Sequence, residues 1–217
     1  MAYAYPRDGA LDYFPCRYGS SRLLFRGPRR DLSQAYVAVL GGTEVYGKFV
    51  PRPFCDLQEE RIGQPVVNLG LPNTGYDAFL NDPDTLAVLG GATTVVIQAV
   101  GAHNLSNRFY TVHPRRNDRL VSVSPEWRPL YRRVDSTEFS FTRHLLCVLQ
   151  SQSPVHFTAI ATELSRVWLN RMKALLGAIP GRRILLWMSE LPPPPTGSAH
   201  DLTREPLLVD QSMVSAI

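Results

Sequence analysis

The apolar residues of this chain fall into short groups whose spacing alternates between two periods. Residues 36–40 form an apolar run with valines two apart, closed by Gly41-Gly42. Such a run, too short for a helix and bounded by glycine, predicts a buried strand of a parallel sheet. Comparable runs recur at 65–69, at 93–100, where β-branched residues dominate, and at 182–188. Between them the period becomes helical. Phe54, Leu57 and Ile62 can share one side of a helix opened by Pro51-Arg52-Pro53 and closed by Gly63. Asp82-Pro83 offers an N-cap and a first-turn proline for a second helix ending at Gly90-Gly91. Residues 137–150 predict a third, with Phe141, Leu145, Leu146 and Leu149 on its buried side and His144 as a wall residue. The longest, 157–179, carries Ile160, Leu164, Val167, Trp168, Leu175 and Ile179 at helical spacing. Strands alternating with helices predict an α/β domain with a central parallel sheet.

Three stretches fit neither period. Residues 1–35 are rich in aromatic and turn residues, with room for two short strands at 11–14 and 21–25. They read as an N-terminal extension packed on a main domain of 36–217, placing Arg17, Arg22 or Arg26 near a site or simply wrapping the surface. Residues 105–135 lack clean periodicity and hold Pro114, Pro125 and Pro129. This predicts a long loop excursion beside the site, because structureless loops of that length are usually lids or binding loops. The four prolines at 192–195 predict an extended stretch, with His200-Asp201 in the loop beyond and a last element from Leu207.

Composition narrows the classes. A hydrophobic fraction of 44% suits a globular domain long enough to bury a substantial core. No run approaches the ~20 apolar residues of a membrane span, and the N-terminus has no apolar signal core. Cys16, Cys55 and Cys147 suggest neither a zinc site nor a disulfide framework, and the expected setting is reducing and cytoplasmic, without cofactor or metal. Of 23 basic residues only Lys48 and Lys173 are lysines. The arginines are uneven: residues 108–143 hold eight arginines against four acids. Arginine's planar fork suits bidentate binding of carboxylate, sulfate or phosphate, although G+C-rich coding also enriches arginine. Arg108, His113, Arg115, Arg116 and Arg119 are the candidate binding residues of that patch. Nucleic acid fits less well than an acidic small molecule or glycan, since stacking recognition wants aromatics interleaved with the charges.

The chemistry centres on Gly41-Gly42-Thr43-Glu44-Val45-Tyr46-Gly47-Lys48, at the carboxyl end of the first strand, where open α/β sheets place their ligands. Gly42 to Lys48 has the spacing of a P-loop, but Phe49 stands where a magnesium-binding Ser or Thr is needed, and Pro51 and Pro53 follow. The nucleotide reading is rejected. The same stretch resembles the first block of the SGNH/GDSL hydrolase superfamily, Gly-Asp-Ser-x-x-x-Gly, with Thr43 in the nucleophile's place. Val66 to Gly75 resembles the second block, and Gly101-Ala102-His103-Asn104 stands in the place of the third, Gly-x-Asn-Asp. The three blocks cover roughly residues 36–107, in order and each after a strand.

The resemblance implies a three-layer, flavodoxin-like α/β fold and acyl-ester chemistry, including glycan O-acyl esters. Within it, Thr43 would be the nucleophile, and amides at Gly42 or Gly75 with Asn104 would stabilise the oxyanion. Asn73 and His103 would line the crevice, and His200 or His113 would act as base. The family's last block, Asp-x-x-His, meets only Asp210-Gln211-Ser212-Met213, whose thioether cannot accept a proton. Two functions therefore stand against each other: an esterase-like enzyme of unknown substrate with a degenerate catalytic set, and a non-catalytic domain binding an anionic small molecule or glycan. A base within about 2.6–3.2 Å of Thr43, or one water away, separates them. The two glycines before Thr43 also predict a demanding turn, intolerant of a side chain at Gly42.

Overall fold

A computed structural model describes residues 11–217, so the first ten residues of the expected extension lie outside the described part. In chain order the elements are β1 (Val37–Gly41), α1 (Thr43–Tyr46), α2 (Phe54–Ile62), β2 (Val66–Gly70), α3 (Tyr76–Leu80), α4 (Pro83–Gly91) and β3 (Thr94–Gln98). Then follow β4 (Tyr110–His113), β5 (Arg116–Val123), α5 (Thr142–Gln152), α6 (Pro154–Gly177), β6 (Arg182–Leu186) and α7 (Gln211–Ser215). Four strands form one parallel sheet in the order β2-β1-β3-β6, with Val39 opposite Asn68 on one side and Val96 on the other.

Helices flank the sheet on both faces. Ala38 and Leu40 of β1 join a large core with Phe79, Leu89, Leu146 and Trp168 from α3, α4, α5 and α6. Val39 looks the other way, into a smaller cluster with Val45, Cys55 and Val66. This two-sided burial is why the strands read as continuous apolar runs rather than alternating ones. The chain pairs β2 on one side of β1 and then crosses to place β3 on the other. The turns leaving β1 and β3 thus diverge, and a crevice opens between their carboxyl ends.

Several expectations are corrected. Residues 105–135 are not a structureless excursion: β4 and β5 form an antiparallel hairpin, irregular near Val112. The helix expected from residue 137 begins at Thr142, after a short 3-10 turn at Ser136–Glu138. Phe141, expected on its buried side, is 41% exposed. In the extension, 11–14 and 21–25 make no full strands; Cys16 and Phe25 form a single bridge. Tyr18, Leu23 and Phe25 are nevertheless buried in the main core. No helix among the described residues is long and apolar enough to cross a membrane.

Candidate functional site

The crevice at the sheet's carboxyl end holds a cavity of about 360 Å³. Turns from four strands contribute: Thr43 and Glu44 after β1, Asn73 and Thr74 after β2, His103 and Asn104 after β3, and Met188 after β6. Asp118 of β5, Phe141 to Arg143 at the start of α5, and Glu205 before α7 complete the wall. Thr43, Asn73, His103 and Asn104 therefore line one space, although 61 residues separate the first from the last. His200 does not reach it. It lines a separate cavity, its ring edge-on to Phe157 at 5.8 Å. His113 ends β4, and its Nδ1 accepts from the Arg115 amide at 3.2 Å. Asp210 caps α7 by accepting from the Met213 amide, and Met213 is buried.

Thr43 is closed on one neighbour. Its Oγ1 donates to Asn73 Oδ1 at 3.2 Å and accepts from the Asn73 amide at 3.0 Å. Asn73 can meet it because its backbone is left-handed, with φ of 54°, a conformation asparagine tolerates better than most residues. Asn104 fixes the same loop from the other side. Its Nδ2 donates to Asn73 O at 2.9 Å, and its Oδ1 accepts from Thr142 Oγ1 at 2.6 Å. Among the described residues, no histidine or carboxylate hydrogen-bonds the Thr43 hydroxyl.

The amides assigned to an oxyanion are also engaged. Gly42 N donates to Gln98 Oε1 at 2.8 Å, and Gln98 Nε2 donates to Glu44 Oε2 at the same distance. Gly75 N donates to Asn117 Oδ1 at 2.9 Å, an acceptor delivered by the hairpin. Neither amide points an unfilled hydrogen into the cavity. Gln98 was missed by sequence reasoning, yet it is a long polar side chain ending a strand of otherwise β-branched residues.

His103 is buried, and its Nδ1 has no hydrogen-bond partner. Burial, with the nearby Arg143 cation as a lesser cause, lowers its pKa to about 3. The imidazole is therefore neutral at ordinary pH and a very weak base. Arg143 donates to Glu205 Oε1 and to Leu202 O, each at 2.8 Å, tying α5 to the loop before α7. Although its side chain is 46% exposed, crowding by protein raises the Glu205 pKa, and Glu44 adds a smaller push in the same direction. With Glu44, Asp118 and Glu205 against Arg143, the cavity is acidic. The expected anion site is elsewhere. His113, Arg115, Arg116 and Arg119 line a neighbouring groove, and Arg108 sits apart over the Phe109 ring, 4.0 Å from both Glu126 and Glu163.

A family model described as Domain of unknown function (DUF6473) matches residues 1–217. The chain belongs to that family. Comparison with curated proteins gave no match, and comparison with solved structures gave none.

Proposed function

We propose that the protein is a binding domain on an SGNH hydrolase-like, three-layer flavodoxin-like scaffold, whose cavity holds an uncharged polyhydroxylated group such as a sugar ring without cleaving an acyl ester. The observation carrying this reading is the Thr43 hydroxyl, engaged among the described residues as donor and as acceptor by Asn73 alone. A hydroxyl without an adjacent base is a poor nucleophile. Engagement of both candidate oxyanion amides, by Gln98 and Asn117, argues the same way. The scaffold reading is supported by the strand order, β1 lying between β2 and β3, together with the three sequence blocks.

The lining suits a sugar. Amide, hydroxyl and carboxylate groups stand around the half-exposed Phe141 ring, on which the C–H face of a pyranose can lie while its hydroxyls find partners. Three carboxylates against one arginine disfavour an anion in this cavity. The test combines catalysis and binding. Purified protein should release no p-nitrophenol from its acetate or butyrate esters above the buffer rate, and Thr43→Ala should not change this. Calorimetry against neutral oligosaccharides should show binding that Phe141→Ala weakens. Robust esterase activity lost in a folded Thr43→Ala variant would overturn the reading in favour of the hydrolase.

A further inference from the structure

Beside the cavity around Thr43 lies a larger groove, about 890 Å³ in volume. Its walls bring together Arg22 from the N-terminal extension and Arg115, Arg116 and Arg119 from the hairpin, with His113 at its side. Among the described residues, Asp118 is the one carboxylate lining it. None of these four arginines forms a salt bridge among the described residues, whereas Arg30, Arg52, Arg108, Arg143, Arg166 and Arg171 each meet an acid. Four arginines from segments about ninety residues apart in sequence line one space, with few counter-charges among the described residues. Mutual repulsion disfavours such convergence, and an anion reverses the sign of that energy. The floor is apolar, with the side chains of Leu23, Leu24, Leu71 and Pro72.

Groove and cavity are neighbours. The loop after β2 is their common wall, with Leu71 and Pro72 lining the groove and Asn73 and Thr74 the cavity. Asp118 lines both, held from the cavity side by Asn73 Nδ2 at 3.5 Å. The ridge between them is a stacked pair: the Arg119 guanidinium lies 4.1 Å from the centroid of Phe141, the ring assigned above to the sugar. A ligand seated on Phe141 is therefore next to Arg119, one of the residues lining the groove.

We propose that the groove is an oxyanion subsite for the same ligand, so that the protein binds an acidic saccharide, its sugar ring in the Thr43 cavity and its sulfate, phosphate or carboxylate group on Arg22, Arg115, Arg116 and Arg119. The proposal rests on reading the cavity as a saccharide site. Guanidinium forks bind such oxyanions bidentately, and the apolar floor accommodates the rest of a ring.

The experiment titrates the protein with a sulfated tetrasaccharide, its desulfated counterpart, inorganic sulfate, and a single-stranded oligonucleotide of matched charge. The sulfated sugar should bind about tenfold more tightly than the desulfated one, the gain expected of one added charge-assisted hydrogen bond. Arg115→Gln/Arg116→Gln should abolish that ratio and leave the desulfated affinity alone, and Arg22→Gln, from a different segment, should reduce it. Phe141→Ala should weaken both sugars. Equal affinity for the two sugars, with both sensitive to Phe141→Ala, would overturn the subsite and leave the cavity reading standing. Sulfated sugar bound through the arginines but indifferent to Phe141→Ala would overturn the shared ligand and the cavity reading together. Oligonucleotide binding as tight as that of the sulfated sugar would reduce the groove to a general polyanion surface and overturn the saccharide assignment.

Discussion

Gly41 and Gly42 are adjacent, yet only the first is sterically constrained. A Cβ on Gly41 would fall 2.4 Å from Gln98 Oε1 and 2.5 Å from Val45 Cγ2, displacing the glutamine that holds the turn. At Gly42 the nearest atom is Glu44 Oε2 at 3.3 Å, the end of a flexible side chain, and its φ of −89° is open to any residue. Gly41→Ala should therefore cost roughly 1–3 kcal/mol, the usual range for overpacking, and Gly42→Ala well under half as much, both read by urea denaturation. This reverses the emphasis on Gly42 that the motif suggested. His103 supports a second prediction at this scale. With its folded pKa near 3, the native state stays unprotonated where the unfolded chain takes up a proton. Stability should be flat above the unfolded pKa of about 6.5 and fall as pH drops below it, by at most ~1.4 kcal/mol per unit for one proton. Glu205, raised by its surroundings, works in the opposite sense at lower pH, so the slope is best read between about 6.5 and 5. His103→Asn should flatten that slope; an unchanged slope would assign it to other groups. Thr43, Asn73, His103 and Asn104 could be placed from sequence because each follows a strand, and parallel strands deliver their ends to one edge. His113 ends a hairpin strand outside the sheet, and His200 stands fourteen residues beyond β6, too far for the strand end to place it, so sequence alone had no constraint on them.

At the scale of elements, β1, β2 and β3 were legible because burial leaves a nearly unbroken apolar run, and β6, an exposed edge strand, because of its apolar stretch from Ile184. The hairpin was not. In β5 the sequence Arg116-Asn117-Asp118-Arg119 hides the alternation of a half-buried strand, although Asn117 is buried to serve the Gly75 amide. A long-range hydrogen bond there overrode the apolar pattern on which strand recognition depends. Short helices such as α1 and α3 offer too few turns to display a period. The longest helix, α6, is tied to the site by Trp168, whose Nε1 donates to Val100 O at 2.7 Å while its ring packs on Tyr76. Trp168→Phe keeps an aromatic ring but leaves that buried carbonyl without its donor. It should lower stability by about 1–3 kcal/mol, the usual cost of an unsatisfied buried group, measured by chemical denaturation. A variant unfolding like the parent would mean that the carbonyl finds another partner.

For the molecule as a whole, the N-terminal extension is part of the core and of the arginine groove together. Arg26 is buried and donates to Gly47 O and to Pro51 O, the latter at 2.8 Å, so it satisfies carbonyls in the chain leaving α1. Arg30 reaches Asp56 and Glu59 of α2, and Arg22 reaches the groove. Removing residues 1–31 should therefore uncover apolar surface and strand those carbonyls. The expected signs are strong binding of a hydrophobic dye and loss of a single cooperative melting transition. A truncated chain that melts like the parent without binding dye would reduce the extension to an overlay. By itself the sequence determined the α/β class, the order of the four parallel strands along the chain, and which turns follow them. Those features rest on local spacing and on burial of whole runs. Tertiary structure alone decided that the Thr43 hydroxyl is met by an asparagine amide rather than a base, and that the glycine amides are filled by Gln98 and Asn117. It also decided that the arginines gather beside the cavity rather than in it. Hydrogen bonds between residues 30 to 56 positions apart, and charges brought together from two ends of the chain, leave no periodic trace, because only the folded backbone sets the distances on which they depend.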